Sequence, residues 1–345
     1  MLITSADYNP SSAVRSLGMK ISIMTAEGVK TFLTEDIISA EIFEGVDMGC
    51  ERFLSRTFNF EVRDKYGMSK PLTAAKVTGS KVSAEFIING ESLHVGDFFI
   101  ERIKTDNLGV IARFQAADIV SRMSRYITGL AISSPISLSE LISYDSGAVA
   151  GLNFICDSVS GNALVCPTMY TEVDTQKRCL LFLAQAALSS QIWVDRLGNV
   201  NIKILTYGAG HSITLTQDDI LSYSDQSLRS YVDYTEVSGE NNKGKYSGVD
   251  GSYFSGCNMH SLKNDFLAAG NAAFVAKNYR SAKNLRYELK LRTRCNPAIE
   301  IGDRVEVLDR SGSSIGEFCV AAQTFHFSKS GLYADITLAS ASTAD

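Results

Sequence analysis

The chain of 345 residues is long enough for two or three domains, and its 45% hydrophobic and 21% charged residues are ordinary for a globular protein. Its net charge of −5 argues against a protein that grips nucleic-acid phosphates through a concentrated positive surface, although it permits a channel past which DNA slides. No apolar run approaches the roughly 20 residues of a membrane helix. The N-terminus lacks a basic region before an apolar core, so we expect neither membrane insertion nor a signal peptide.

Residues 1–122 are predicted to form a first β domain. Apolar and polar residues alternate in short segments separated by turn residues, which is typical of a sandwich or a barrel. The dipeptide Asn89-Gly90 predicts a tight hairpin turn because both residues tolerate a positive φ. Strands are predicted at 19–24, 58–63, 82–88, 98–103 and 110–116.

Residues 123–208 are predicted to form a small α/β domain. Ser137 and Glu140 have the spacing of a capping box that opens a short helix, and residues 153–159 suggest another helical turn. A longer helix is predicted over 176–189, capped by residue 174 or 175, because apolar residues recur at helical spacing. A β-hairpin with its turn at 197–199 follows this helix.

A second β domain is predicted for residues 209–240 and 282–345, interrupted by an insertion at 241–281. The insertion begins with a Gly-rich stretch that lacks the phosphate-loop pattern, and it continues with an amphipathic helix over 265–283. This helix either binds a partner, covers an open end of its own barrel or packs on the 176–189 helix. The predicted fold class is β-rich α+β.

Four segments of the first β domain recur in the same order in the second. Residues 33–39 match 215–222, residues 79–82 match 302–305, residues 96–100 match 316–320, and residues 109–116 match 331–339. Each match is weak alone, but the shared order strengthens all four, and the period is far longer than that of solenoid repeats. The pattern predicts two β-barrel domains that arose by internal duplication.

No catalytic, cofactor-binding or metal site is predicted around the four histidines. None lies in a metalloprotease motif, and no serine lies in a hydrolase nucleophile elbow. His94 precedes Asp97 and such a pair can transfer protons, but the aligned residue of the second repeat is Ser314, which favours a surface turn. Residues 257 and 260 are half of a metal site with no second half nearby. The remaining histidines are His211 and His326, and His326 is expected to face solvent or a neighbouring subunit.

The carboxylates and the cysteines are likewise given structural interpretations. Asp118 follows a strand end, and Asp218 and Asp219 lie in a turn. We interpret them as turn caps and solvated groups, because the sequence gives no evidence of the converging pair that a glycosidase needs. The seven cysteines are dispersed without a C-x-x-C pair, so we expect reduced side chains that pack as small apolar residues.

Three features of the chain carry a family resemblance. The order is β domain, α/β domain with a helix and a hairpin around 195–199, then an interrupted β domain. Residues 296–305 are similar to an N-P-x-I-x-x-G-D-x-V stretch, and the strand pair 98–103 and 114–118 ends at Asp118, which opens the middle domain. In these respects the chain resembles the baseplate hub, or tail-tip hub, of long-tailed bacteriophages and contractile injection particles.

The resemblance implies a structural protein of the virion tail or baseplate, assembled in the host cytoplasm, and no enzyme. It implies a homotrimer whose two tail-tube-like barrels per chain form a pseudo-six-fold ring. This ring would join a hexameric tail tube protein ring to a trimeric spike or central fibre protein. DNA would pass through its lumen without specific binding, and a tape measure protein is a further candidate partner. Ring closure would also cover exposed strand edges.

Three alternatives stay open at this point. A cell-wall hydrolase or esterase would need converging catalytic groups in residues 123–208 or in the insertion. The N-terminal half of a secretion-system spike shares the hub fold, but such spikes usually continue into a repetitive needle. A carbohydrate-binding module would need several exposed aromatic residues, whereas the chain has one Trp. The sequence does not distinguish a contractile from a non-contractile tail.

Overall fold

The computed structural model describes residues 16–105, 110–124, 134–143, 149, 151–166, 175–205, 212–228, 231–239, 243–247, 258–285 and 287–340. These residues form 21 strands and five short α-helices, so the β-rich fold class is confirmed. Two of the candidate site residues, His211 and Cys257, lie outside the described residues.

The N-terminal segment contains seven strands and one short helix. They are β1 (Leu17–Thr25), β2 (Gly28–Phe32), β3 (Ile37–Gly45), β4 (Thr57–Arg63), α1 (Pro71–Val77), β5 (Lys81–Ile88), β6 (Glu91–Thr105) and β7 (Ile111–Ala117). Alternation in β4 buries Phe58, Phe60 and Val62. The predicted hairpin turn between β5 and β6 is confirmed, since Asn89 and Gly90 have φ values of 54° and 86°.

The middle segment follows a 3₁₀ turn at Ile119–Arg122. Its elements are β8 (Ile136–Ser137), α2 (Leu138–Ser143), β9 (Phe154–Cys156), α3 (Ser158–Asn162), β10 (Leu164–Val165), α4 (Gln176–Ala186), β11 (Gln191–Val194) and β12 (Val200–Lys203). The Thr175 hydroxyl caps α4 by accepting a hydrogen bond from the Arg178 N–H. This helix is shorter than predicted, because Leu188 and Ser189 adopt positive φ values of 62° and 56°.

One local prediction in the middle segment is wrong. Residues 154–156 form the strand β9, which pairs in parallel with β12, rather than part of a helical turn. The helix α3 begins only at Ser158, where the Asp157 carboxylate accepts a hydrogen bond from the Ser160 N–H at 2.6 Å. The predicted hairpin of β11 and β12 is confirmed.

The C-terminal segment holds the remaining elements. They are β13 (Ser212–Leu215), β14 (Ile220–Leu228), β15 (Tyr234–Ser238), β16 (Lys243–Ser247), β17 (Met259–Lys263), α5 (Ala272–Lys283), β18 (Tyr287–Arg294), β19 (Arg304–Leu308), β20 (Ser314–Ser328) and β21 (Gly331–Ser340). The strands β15, β16 and β17 form a separate sheet, so the inserted region carries strands as well as a helix. The helix α5 contacts the end of α4, where the Ser189 hydroxyl donates to the Val275 carbonyl.

Thirteen strands form one sheet in which the N-terminal and C-terminal segments have the same strand order. The first runs β3, β4, β7, β6, β5, and the second runs β14, β18, β21, β20, β19. The two runs are joined by antiparallel pairing of β20 with β3. Among the described strands the main pairings follow an open path from β14 to β2, with β19 and β13 as a branch. The predicted closed barrels are therefore not confirmed.

The matched strands also share their irregularities. A β-bulge separates Ile100 from Arg102 in β6, and a bulge separates Val320 from Ala322 at the corresponding place in β20. In β3 and β14 bulges follow Ile37 and Ile220, and β14 has a second bulge between Tyr223 and Asp225 that β3 lacks. Because bulges fix the local bend and register of a strand, the shared bulges support the alignment of the two runs, and the strand pairings give it residue by residue.

Side chains at matched positions repeat as well. Lys81 pairs with Asp97 at 2.8 Å, and at the corresponding positions Arg304 pairs with Glu317. Gly79 and Gly302 both have a positive φ, 87° and 90°, and each donates its N–H to the matching strand, β6 or β20. Both runs bury their apolar faces in one continuous core, within which Phe86 and Phe325 make an edge-on ring contact at 5.5 Å.

Candidate functional site

The three segments of the chain meet at a buried ionic junction centred on Glu44, near the end of β3. Its carboxylate pairs with Arg196 of the β11–β12 turn at 2.6 Å and with Arg56, just before β4, at 3.1 Å. The side-chain amide of Gln323 on β20 also donates to this carboxylate. All four side chains are nearly inaccessible to solvent, at 1–4% exposure. One carboxylate is therefore shared by the N-terminal, middle and C-terminal segments.

Arg196 connects the middle segment to the C-terminal segment. Its guanidinium donates to the backbone carbonyls of Pro297 and Ile299, the latter at 2.8 Å, and lies 5.1 Å from the centre of the Phe325 ring. The turn that carries Arg196 is fixed by the Asp195 carboxylate, which accepts hydrogen bonds from two backbone N–H groups of the turn at 2.9 Å. The arginine thus projects from a braced turn into the body of the molecule.

Arg56 occupies the opposite side of the carboxylate. It donates to the Val95 carbonyl at 2.6 Å and to the Asp195 carbonyl at 3.2 Å. Gly96, with a φ of 155°, lies against this guanidinium, and a Cβ there would be only 2.7 Å from Arg56 Nη1. Only glycine fits at position 96 without displacing the arginine, which gives a physical reason for the glycine at the start of the repeated segment 96–100.

The predicted cap Asp118 braces the same region. Its buried carboxylate accepts hydrogen bonds from the Ser55 hydroxyl at 2.7 Å, the Arg56 N–H at 3.0 Å and the Val120 N–H at 3.0 Å. Burial raises the pKa of Asp118, although these hydrogen bonds and the Arg56 charge act in the opposite direction. The carboxylate joins the start of the middle segment to the residues just before β4.

The electrostatics of the junction favour a permanent ion pair. Burial raises the pKa of Glu44, but the charges of Arg196 and Arg56 outweigh that effect and hold the pKa below its ordinary value. Arg56 Nε and Gln323 Oε1 have no hydrogen-bond partner among the described residues. Two guanidinium groups around one ionised carboxylate supply neither a nucleophile nor a base that titrates near neutral pH, so the arrangement suits holding segments together.

A groove of about 390 Å³ lies on the polar face of the sheet, across the seam between β20 and β3. His326 lies in it, with Nε2 at 3.1 Å from an Asp335 oxygen and Nδ1 at 3.5 Å from a Glu41 oxygen. Its ring stacks on Tyr333 with centroids 4.7 Å apart. The histidine is 24% exposed and its neighbours are paired charges of both signs, which is the character of a solvated sheet face.

The other predicted candidates are not brought together. His94 Nε2 is 3.8 Å from Asp97 Oδ1, and that carboxylate is paired with Lys81. Asp219 caps its turn by accepting hydrogen bonds from the Thr216 N–H and hydroxyl, while residue 218 is exposed. His260 lies on β17, away from the groove.

The cysteines and the metal-ligating residues give no second site within the described part of the chain. The cysteines described there are free thiols, and burial raises the pKa of Cys319 to about 12 and that of Cys156 to about 11. Thiols with such values are poor nucleophiles. Among the described residues no cluster of three or more His, Cys, Asp or Glu side chains has the geometry to hold a metal ion. In the same part of the chain, no helix has the length and apolar character to cross a membrane.

The sequence matches no protein-family model and no curated protein sequence. The structure, however, is similar to that of a tail protein from Neisseria meningitidis, with a TM-score of 0.64 and 12% identity, covering 94% of this chain and 97% of that one. It is also similar to the 43 kDa tail protein of prophage MuSo2 from Shewanella oneidensis, with a TM-score of 0.60 and 15% identity, covering 92% and 96%.

A third solved structure comes from a secretion machine. It is an E. coli type VI secretion system component described as structurally similar to the bacteriophage T4 tail proteins gp27 and gp5, with a TM-score of 0.51 and 11% identity, covering 90% of this chain and 74% of that one. The chain has a phage tail protein fold. The resemblance inferred from the sequence is therefore confirmed at the level of fold, over nearly the whole chain.

Sequence reasoning missed three members of the junction, namely Glu44, Arg56 and Gln323. Glu44 and Gln323 are 279 residues apart, and Glu44 and Arg196 are 152 residues apart, so no local pattern links them. The available signal was indirect. The turn around Arg196 and the stretch containing Ile299 both carried the family resemblance, and in the structure they contact each other.

Proposed function

We propose that this chain is a structural hub of a phage-tail baseplate or tail tip. Three copies form a ring with pseudo-six-fold symmetry, because each chain contributes two similar β modules that arose by duplication. The observation that carries the proposal is the shared strand order of the two runs and their junction through β20 and β3. Similar modules placed side by side within one chain are what a closed ring of six positions requires.

In this proposal the ring joins a hexameric tail tube to a trimeric spike or central fibre. A six-fold face receives the tube protein, the true three-fold symmetry receives the spike, and a tape measure protein is a further candidate partner. DNA passes through the central channel without specific binding, which agrees with a net charge of −5. The similarity to solved phage tail proteins supports a place in the virion tail.

A second candidate function is the hub half of a type VI secretion spike, favoured by the similarity to the E. coli component of that system. The predicted ring is the same in both cases, and the two differ in what the ring carries below and around it. For a cell-wall hydrolase, the junction offers no free nucleophile, acid or base, because its buried charged groups are already paired with one another.

The mass of the purified full-length chain in solution tests the ring. Sedimentation velocity across a range of protein concentrations is expected to give one species of about three times the 37.5 kDa chain mass. A monomer at all concentrations, or a closed dimer, would contradict the proposal. Turnover of purified peptidoglycan, abolished by substitution of a single side chain, would favour the hydrolase instead.

A further inference from the structure

Two of the strand edges that lack a backbone partner in the described sheet have counterparts that are paired. The strand β3 pairs through one edge with β4 and through the other with β20. Its counterpart β14 pairs with β18 alone. The strand β20 pairs along residues 322–328 with both β21 and β3, whereas the corresponding residues 102–105 of β6 pair with β7 alone.

The junction inside the chain is therefore a template for a junction between chains. We propose that the free edge of β14 in one copy pairs, antiparallel, with the free edge of residues 102–105 of β6 in a second copy of this chain. This inference rests on the proposed ring and identifies the surface that would close it. This pairing would repeat the β3–β20 contact between two copies, with β14 in the place of β3 and β6 in the place of β20.

The pairings of the matched strands allow the register of this contact to be derived. Within the chain Gln323 lies opposite Glu44, and the next two pairs follow in antiparallel order. Comparison of the β6–β7 pairing with β20–β21 aligns β6 with β20, and comparison of β3–β4 with β14–β18 aligns β3 with β14. Replacing each residue of the contact within the chain by its aligned counterpart predicts the contacts between copies. The predicted opposing residues are Ile103 with Leu228, Lys104 with Ser227, and Thr105 with Gln226.

The side chains at these positions suit a buried contact. Leu228 is 58% exposed in the single chain, and Ile103 is half-buried at the margin of the core. Their counterparts within the chain, Glu44 and Gln323, are at most 3% exposed, so the same positions between copies would be buried. An exposed leucine facing an isoleucine across the strands explains why an apolar side chain occupies this edge.

The charged side chains and the unpaired backbone groups of the two edges also favour this contact between copies. Lys104 is exposed, and in the derived register it lies diagonally across from Asp225, whose carboxylate is 3.5 Å from Lys290 and still exposed. Unpaired strand edges in soluble proteins are normally covered or paired. The edges of β14 and β6 are different surfaces, so their contact is head-to-tail and can close a ring rather than stop at a two-fold dimer.

A further free edge of the described sheet, that of β2, is not chosen for this contact. Its Val29 is 61% exposed, so exposure alone does not distinguish it from β14. The distinction comes from the template. The strand β13 precedes β14 in the chain as β2 precedes β3, and β13 takes no part in the contact between the two modules of one chain. The β2 edge therefore provides a matched control.

Cysteine pairing tests the register on the full chain. The double variant Lys104→Cys/Ser227→Cys, treated with a short thiol-specific cross-linker, is expected to give covalent dimers and closed trimers on a non-reducing gel. Each single variant should give none, and a mixture of the two single variants should give dimers only, because each chain then offers one new thiol. Val29→Cys/Ser227→Cys is the control pair and should not cross-link.

A second measurement uses non-covalent assembly. Leu228→Asp should raise the dissociation constant of the ring at least about tenfold per contact, since a buried leucine is replaced by a charge, while Val29→Asp leaves the sedimentation profile unchanged. A wild-type trimer that fails to cross-link through residues 104 and 227, or that Leu228→Asp leaves intact, overturns the assigned edges and leaves the proposed ring standing. A wild-type monomer overturns both.

Discussion

Replacing Glu44 with glutamine is predicted to loosen the contact of the middle segment with both β runs. Glutamine has nearly the same shape but no charge, so Arg56 and Arg196 would remain buried and uncompensated beside an amide that can itself donate hydrogen bonds. Removing one partner of a buried ion pair typically costs about 3–5 kcal/mol. The variant Glu61→Gln is the matched control, because the Glu61–Arg113 pair is 33% and 53% exposed and is expected to contribute less than about 1 kcal/mol.

The single tryptophan provides the assay. Trp193 is 5% exposed and packs with Val46, Leu205 and Cys319, beside the junction. Its fluorescence during urea unfolding should therefore follow separation of the middle segment from the β runs. With a urea dependence of about 3 kcal/mol per molar, the predicted loss for Glu44→Gln shifts the Trp midpoint down by about 1 M or more.

The pH dependence of this effect has a defined sign. Because the pKa of Glu44 is held below its ordinary value near 4.5, its contribution to stability is fully present above that value and is lost as pH falls through the folded-state pKa. The stability difference between wild type and Glu44→Gln should stay constant near neutral pH and shrink in acid. A midpoint shift no larger than that of Glu61→Gln at neutral pH would refute the stabilising role of the Glu44 junction.

Two further predictions concern the matched halves of the sheet. Gly302→Ala should lower thermal stability more than Gly79→Ala, by about 1 kcal/mol or more. Both positions have a positive φ, but only a Cβ at 302 would meet Leu205, at 2.8 Å. Equal shifts in the melting temperature would contradict this prediction. Exchanging the two charges in Glu61→Arg/Arg113→Glu should preserve the melting temperature within about 1 °C. The reason is that the matched pair of the second run, Arg292 and Asp335, already has its charges in that order. A double variant less stable than either single variant would contradict this prediction.

Local chemistry made part of the fold predictable from the sequence. The Asn89-Gly90 turn, the alternating residues of β4 and the Thr175 cap of α4 each act over a few residues, and each was found where expected. The strand β9 was missed because three residues are too few to show alternation. Its parallel partner β12 lies more than forty residues further along the chain.

The candidate site was less predictable, because its contacts join positions far apart in sequence. Nothing near Glu44 distinguishes a buried acid from the exposed glutamates at other points of the same strands. The repeat was visible as weak segment matches, but its alignment depends on bulges, such as the one between Ile100 and Arg102, which have no sequence signature of their own. The sequence comparison matched residues 33–39 with 215–222, a segment one residue longer, without deciding which residues correspond. The structure aligns Asp36 with Asp219, since each carboxylate closes a turn of the same span.

Imaging the purified assembly end-on tests the central claim most directly. Electron-microscopy class averages of the wild-type chain are expected to show three-fold symmetric rings of six similar lobes around an open hole, with alternate lobes distinguished by the inserted region. Isolated single molecules, two-fold dimers, or three-fold particles with only three lobes and no central opening would contradict the account.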